Sequence, residues 1–134
     1  METRTPVIDT RDERARAEIR RFGFAPLIVT ATDAASAQTV ITAGEAEVLE
    51  ISALTIAHES HGGGASGNAA ISLCIVDNGA TASDANLAIK GLEVMSGAAI
   101  RLDAAIMLNP SQSLCAFSDT SGDMRVSGWV KAHL

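Results

Sequence analysis

Aromatic residues make up only 3% of this 134-residue chain, with one Trp, three Phe and no Tyr. That is poor material for stacking bases or for an aromatic sugar-binding platform. The core is left to Ala, Val, Ile and Leu. Cysteine is equally scarce. Cys74 and Cys115 lie in apolar, strand-like runs, and two thiols do not make the dense disulfide framework of a small secreted domain. They are expected to be small, reduced core side chains. No apolar signal-peptide run stands at the N-terminus, and no stretch approaches the roughly 20 apolar residues of a membrane span. The chain is therefore expected to be made and kept in a cytoplasm, or released by lysis.

What is present is a hydrophobic share of 47%, enough to bury a core in one domain of ordinary size. The net charge is −6, unevenly spread. Residues 1–24 hold six of the ten basic residues, Arg4, Arg11, Arg14, Arg16, Arg20 and Arg21, with five acids. The remainder carries four basic and eleven acidic residues. So acidic a body is repelled by nucleic acid and by anionic lipid surfaces, and neither is expected as a partner.

The N-terminal part reads as an arm over residues 1–26, helical or extended, ahead of a domain over residues 27–134. Pro6 blocks an early helix. Thr10 with Glu13 matches a capping box, and Asp12/Arg16 and Arg14/Glu18 are spaced as i,i+4 ion pairs. Ala15, Ile19 and Phe22 form one narrow apolar stripe, and Gly23 and Pro26 then stop the helix. So narrow a stripe holds a helix down weakly, which suits a segment that orders against something else. The arginine forks suit an acidic surface. The contact candidates are Arg11, Arg14, Arg16, Ile19, Arg20, Arg21 and Phe22.

From Leu27 the pattern is of short strands with turn signals between them. In "EVLEISALTIAH", Leu49 and Ile51 are out of phase with Leu54 and Ile56, which requires a bulge or bend near Ser52–Ala53. "AAISLCIVD" is apolar on both faces and so central, and "DNG" at 77–79 is a tight-turn signal. "NLAIKGLEV" switches phase at Gly91. "AAIRLDAAIML" precedes a turn at "NPS" (109–111), and "SLCAFS" follows. The last run places Val126, Val130 and Ala132 on one face, with Arg125, Trp129 and Lys131 on the other. About eight strands at these spacings, without helical periodicity among them, predict an all-β antiparallel sandwich. The phase switches favour a jelly-roll-like one, its long strands crossing between sheets.

Candidate chemistry is thin. "HESHGGGASGN" contains His58, Glu59 and His61, but the two histidines stand three apart and not the four of a helical metalloprotease motif. A metal site needs a third ligand, and His133 is the only other histidine. The segment reads as a mobile, exposed hairpin loop, with no metal assigned. No Lys and Ser/Thr follow the glycines to make a phosphate loop, and no G-x-S-x-G elbow is present. The protein is expected to be no enzyme and to carry no cofactor. Trp129 has two readings: core if both sheet faces are covered, an interface anchor if it is exposed.

Three runs carry a family resemblance: "TVITAGEAEVLEISALTIAHES", "AAISLCIVDNGATASDANLAIKGLEVMSGAAIRLD" and "IMLNPSQSLCAFSDTSGDMRVSGWV". Together, over residues 38–132, they resemble small β-sandwich virion proteins of tailed phages. The closing Val126-Ser127-Gly128 matches that pattern. The turn Leu108-Asn109-Pro110-Ser111-Gln112-Ser113-Leu114 lacks the usual Gly and Asp, and His58 stands where Asn is common. The resemblance implies a capsid decoration or cement protein, or else a head-spike, neck or tail fitting. Its expected partners are a major capsid protein or another virion protein and copies of itself, in a homotrimer, within a virion assembled in the host cytoplasm. A carbohydrate- or receptor-binding jelly-roll module is the alternative. Removing residues 1–24 is expected to leave a folded body that no longer docks.

Overall fold

The computed structural model describes residues 19–59, 68–103 and 106–133. Among them are nine strands: β1 Ile19–Val29, β2 Gln38–Thr42, β3 Val48–His58, β4 Asn68–Asp77, β5 Leu87–Met95, β6 Ala99–Leu102, β7 Ile106–Leu108, β8 Gln112–Ser118 and β9 Met124–His133. They form two antiparallel sheets. Sheet A has the order β1-β9-β3-β6, with β7 also on β3, and sheet B has the order β2-β8-β4-β5. β6 pairs with Leu54–Ala57 and β7 with Leu49–Ile51. The two therefore occupy one strand position in succession, and eight positions result. Every connection except β4–β5 and the short step between β6 and β7 changes sheet, which is the double Greek-key winding of a jelly roll.

The aliphatic core lies between the sheets, with Leu49, Ile51, Leu54, Ile56, Ile71, Leu73, Leu114, Val126 and Val130 essentially inaccessible. Each such side chain contributes about 2 kcal/mol of apolar transfer. The phase switch in β3 has the expected cause. Ile51 pairs with Val130 and Ala53 with Trp129, so Ser52 is an inserted residue. The bulge turns Leu54 and Ile56 back to the face already used by Leu49 and Ile51. β3 therefore stays within sheet A along its whole length, and does not cross between sheets as the phase switch had suggested. β5 does the same against β4, with Gly91 at φ 61° in the irregular stretch and its N–H donating to Ser72 Oγ at 3.0 Å.

β4 is central in sheet B and buried on both faces, as its two-sided apolarity requires. Its inward row joins the main core. Its outward Cys74 and Val76 join a second cluster with Ala82 and Cys115, against which Ala37, Leu87 and Phe117 pack. That cluster lies beneath the β1–β2 and β4–β5 connections, each carrying one 3-10 turn, Ala34–Ser36 and Asp84–Asn86.

The N-terminal segment departs from the helix its sequence predicts. Residues 19–22, drawn as the end of a helix, are strand, and the boundary at 26/27 falls inside β1. Ile19–Phe24 pair residue by residue with His133–Gly128. Gly23 and Pro26 read as stop signals because a helix interior tolerates neither. In β1 the ladder shifts between Phe24 and Leu27, and Pro26 sits in that irregularity on an edge strand, where proline is accepted. The capping box and the i,i+4 pairs fall among residues 10–18, outside the described residues.

Candidate assembly surface

β9 runs between β1 and β3 with its even-numbered residues inward, so its odd-numbered residues form the spine of sheet A's outer face. The cross-strand rows follow from the register. Gly23, Trp129 and Ala53 make one row; Arg21, Lys131 and Glu50 the next; Ser127, Thr55 and Arg101 a third. Ile28 and Ala57 flank Arg125. Trp129 stands near the middle of this face and is 62% exposed. Its indole lies against Gly23, with ring carbons Cε3 and Cη2 3.6 Å from where a Cβ of Gly23 would stand. Its backbone is fixed from the other side, where the hydroxyl of bulge residue Ser52 donates to the Trp129 carbonyl at 3.2 Å. The bulge that corrects the phase of the core thus also braces the exposed tryptophan.

The surroundings are unusual for so acidic a chain. Residues 25–134 hold four basic side chains, and three of them, Arg101, Arg125 and Lys131, lie on this one face with Arg21 beside them. Two are matched locally: Arg125 Nη2 meets Glu59 Oε2 at 3.1 Å and Arg101 Nε meets Asp103 Oδ1 at 2.8 Å. Such exposed pairs contribute little to stability. Among the described residues, Arg21 and Lys131 take part in no ion pair, whereas Glu50 is engaged by His133 at 3.6 Å. Of the five large hydrophobics exposed among the described residues, Ile28, Met107 and Trp129 belong to this face. An aromatic anchor with arginine beside it is the composition of interface centres, where a few residues carry most of the binding free energy.

The other candidates divide. Arg11, Arg14 and Arg16 lie outside the described residues. Ile19 opens β1 opposite His133. Arg21 is brought beside Trp129, but Arg20 and Phe22 take the opposite phase of β1. Arg20 Nη2 reaches Glu47 Oε2 at 3.8 Å and Phe22 is 36% exposed. The sequence grouped Arg125, Trp129 and Lys131 by alternation alone. The additions of Arg21, Gly23, Ser52 and Arg101 depend on the pairing register, which no local pattern states.

His58 is not part of an exposed loop. It ends β3 with 1% exposure, and its Nδ1 lies 3.0 Å from the Val94 carbonyl. A carbonyl only accepts, so Nδ1 carries the proton; Nε2 is buried without a hydrogen-bond partner among the described residues. The ring is a core side chain tying β3 to β5. His61 and Gly62–Gly64 lie outside the described residues. Among the described residues no group of three or more His, Cys, Asp or Glu is placed to hold a metal ion, and no helix is long and apolar enough to cross a membrane.

No family model matches the sequence, and no curated protein does. Solved structures similar to it include a Bacillus endospore appendage of the disulfide-linked pili, at 8% identity, with 86% of this chain and 87% of that one covered and a TM-score of 0.49. Infectious bursal disease virus of the Gx strain is similar at 11% identity, covering 85% of this chain but 32% of that one, with a TM-score of 0.49. The capsid of Helicobacter pylori bacteriophage KHP30 is similar at 9% identity, covering 87% and 93%, with a TM-score of 0.42. Likeness at this level carries no argument about function, which rests on the surface itself.

Proposed function

We propose that this protein is a structural, non-enzymatic component of a virion, a capsid decoration or cement protein that docks through the outer face of sheet A and its N-terminal segment. The observation that carries this reading is Trp129, a large apolar side chain 62% exposed at the centre of a rigid sheet and braced on both sides. An exposed tryptophan amid uncommitted cations favours an acidic protein partner over solvent. The partner is the acidic surface of a major capsid protein or of another virion protein, and the protein acts as a homotrimer, so that several weak contacts combine through avidity. The same surface serves a head-spike, neck or tail fitting equally well, and copy number per particle separates the two.

A second reading has one observation in its favour. The flat, exposed indole suits the apolar face of a sugar ring, which is what a carbohydrate- or receptor-binding module needs. A glycan screen that returned binding lost in Trp129→Ala would replace the capsid reading with this one.

The test is native mass spectrometry of the full chain, followed by cosedimentation with purified phage heads that lack decoration. A trimer that coats heads is expected. A monomer that leaves heads bare would overturn the proposal. To probe the arm, the cut belongs after residue 18, because a cut after residue 24 removes the part of β1 that pairs with Gly128–His133. The chain lacking residues 1–18 is expected to fold and to lose head binding.

A further inference from the structure

On the opposite sheet, Cys74 of β4 and Cys115 of β8 are direct partners in the antiparallel ladder. Directly opposed residues in such a ladder have Cα atoms about 4.5 or 5.5 Å apart, and either value lies within the roughly 4.4–6.8 Å that a disulfide spans. Both side chains point to the outer face of sheet B and share one buried cluster with Val76 and Ala82. Both thiols are free. Above them, between the two connections that cover this face, is a cleft of about 300 Å³ lined by Thr39, Thr42, Asp77, Ser113 and Cys115 among others. Cys115 thus borders the cleft, at 5% exposure, while Cys74 is at 0% and does not line it. The Thr39 hydroxyl lies 3.9 Å from the Cys115 sulfur.

We propose that Cys74 and Cys115 form a redox-active pair, closed to an intramolecular disulfide by a small-molecule disulfide of the glutathione class that enters this cleft. Accessibility sets the order of events. The Cys115 thiolate attacks one sulfur of the small disulfide, and the other sulfur leaves as a thiolate that takes up a proton. Cys74 then gives its proton to solvent and attacks the Cys115 sulfur of the mixed disulfide, expelling the second small thiol. Two protein thiols are oxidised and one small disulfide is reduced to two thiols, so the electrons balance.

Burial holds both thiols above their ordinary range, with the neighbouring Cys115 and then Asp84 adding to the effect at Cys74 and the Thr39 hydrogen bond opposing it at Cys115. Since the thiolate is the reacting species, the closure is slow at neutral pH and gains about tenfold per pH unit on the alkaline side. The site is independent of the docking surface, which lies on the other sheet.

The experiment incubates the full chain with oxidised glutathione at pH 8.5, then alkylates it in denaturant and measures the intact mass. The expected product has lost two hydrogens and takes up no alkylating agent. Its closed loop of about 40 residues raises the melting temperature by about 10 °C, and dithiothreitol reverses both changes. In Cys74→Ser the reaction is expected to stop at a glutathione adduct on Cys115, and in Cys115→Ser neither product forms. Wild-type chain that keeps two alkylatable thiols overturns the proposal, as does oxidation only to a dimer linked between chains. An adduct on Cys74 in the Cys115→Ser protein overturns the assigned order.

Discussion

The two sheets share a core and differ in how their outer faces are finished. Sheet B is roofed by two connections, and beneath them lie Cys74, Val76, Cys115 and Phe117, so that β4 is buried on both sides. Sheet A has no such roof among the described residues. It exposes Ile28, Met107 and Trp129 and gathers most of the body's few cations. An antiparallel sheet can leave one face to water, but a face that exposes large apolar side chains is suited to a partner. Under the proposed function, one face serves intramolecular stability and the other recognition. Substitutions on the roofed face should therefore be read out in unfolding, and those on the bare face in association.

The largest expected effect falls on neither face but on the core that joins them. Gly128 is the inward residue of β9 where Phe24 and Leu54 converge. An added Cβ would run into the Ala53 carbonyl oxygen on the adjacent strand, with Phe24 Cε1 at 3.0 Å and Leu54 Cδ2 at 3.1 Å. Because the obstacle is backbone, no rotamer change relieves it. Gly128→Ala is expected to cost about 3 kcal/mol by urea unfolding. A cost below about 1 kcal/mol would mean that β3 and β9 separate more easily than their ladder suggests.

Next comes the roof. Phe117 is half-buried against the second cluster, and Phe117→Ala is expected to cost about 2 kcal/mol, less than a fully buried phenylalanine. The thiols beneath it supply a pH signature. Burial raises both, so the folded protein holds their protons at pH values where the unfolded chain, with thiols near about 8.5, releases them. Stability from this source is complete below about pH 8.5 and falls as pH rises through the folded values, by at most about 1.4 kcal/mol per pH unit for each thiol. Melting temperatures between pH 7 and 10 should decline more steeply in wild type than in Cys74→Ala/Cys115→Ala, each held reduced.

Most of this architecture was legible because strand phase is a strict signal. The switch between Ile51 and Leu54 located the Ser52 bulge, the switch at Gly91 located the irregular part of β5, and the two-sided apolarity of "AAISLCIVD" placed β4 inside its sheet. Where the reading failed, two structures share one local pattern. Ile19 and Phe22 lie on a helical stripe, yet β1 gains ladder hydrogen bonds along β9 that an isolated, narrow-striped helix cannot match. His58 read as loop because histidine beside glycines is polar in composition, whereas one bond to the Val94 carbonyl suffices to hold it in the core. The proposed docking surface was half visible. Alternation put Arg125, Trp129 and Lys131 on one side of β9, but Arg21 and Arg101 join them only through pairing with strands that are distant in sequence.

The smallest stability effect is expected at the residue that matters most to the proposed function. Trp129→Ala removes a side chain that is mostly in water, leaves the Ser52 bond to the backbone carbonyl intact, and should shift unfolding by less than about 1 kcal/mol. The same substitution removes the anchor of the bare face, and truncation of such an anchor typically weakens association by 2 kcal/mol or more, roughly thirtyfold. Cosedimentation with undecorated heads across a concentration series reads this directly, and Arg21→Glu, which reverses a charge without touching the core, should act in the same direction and more strongly at low salt. The two measurements must part company. If Trp129→Ala unfolds the protein as readily as Phe117→Ala does, its indole is structural after all, and the distinction between a roofed and a bare sheet fails.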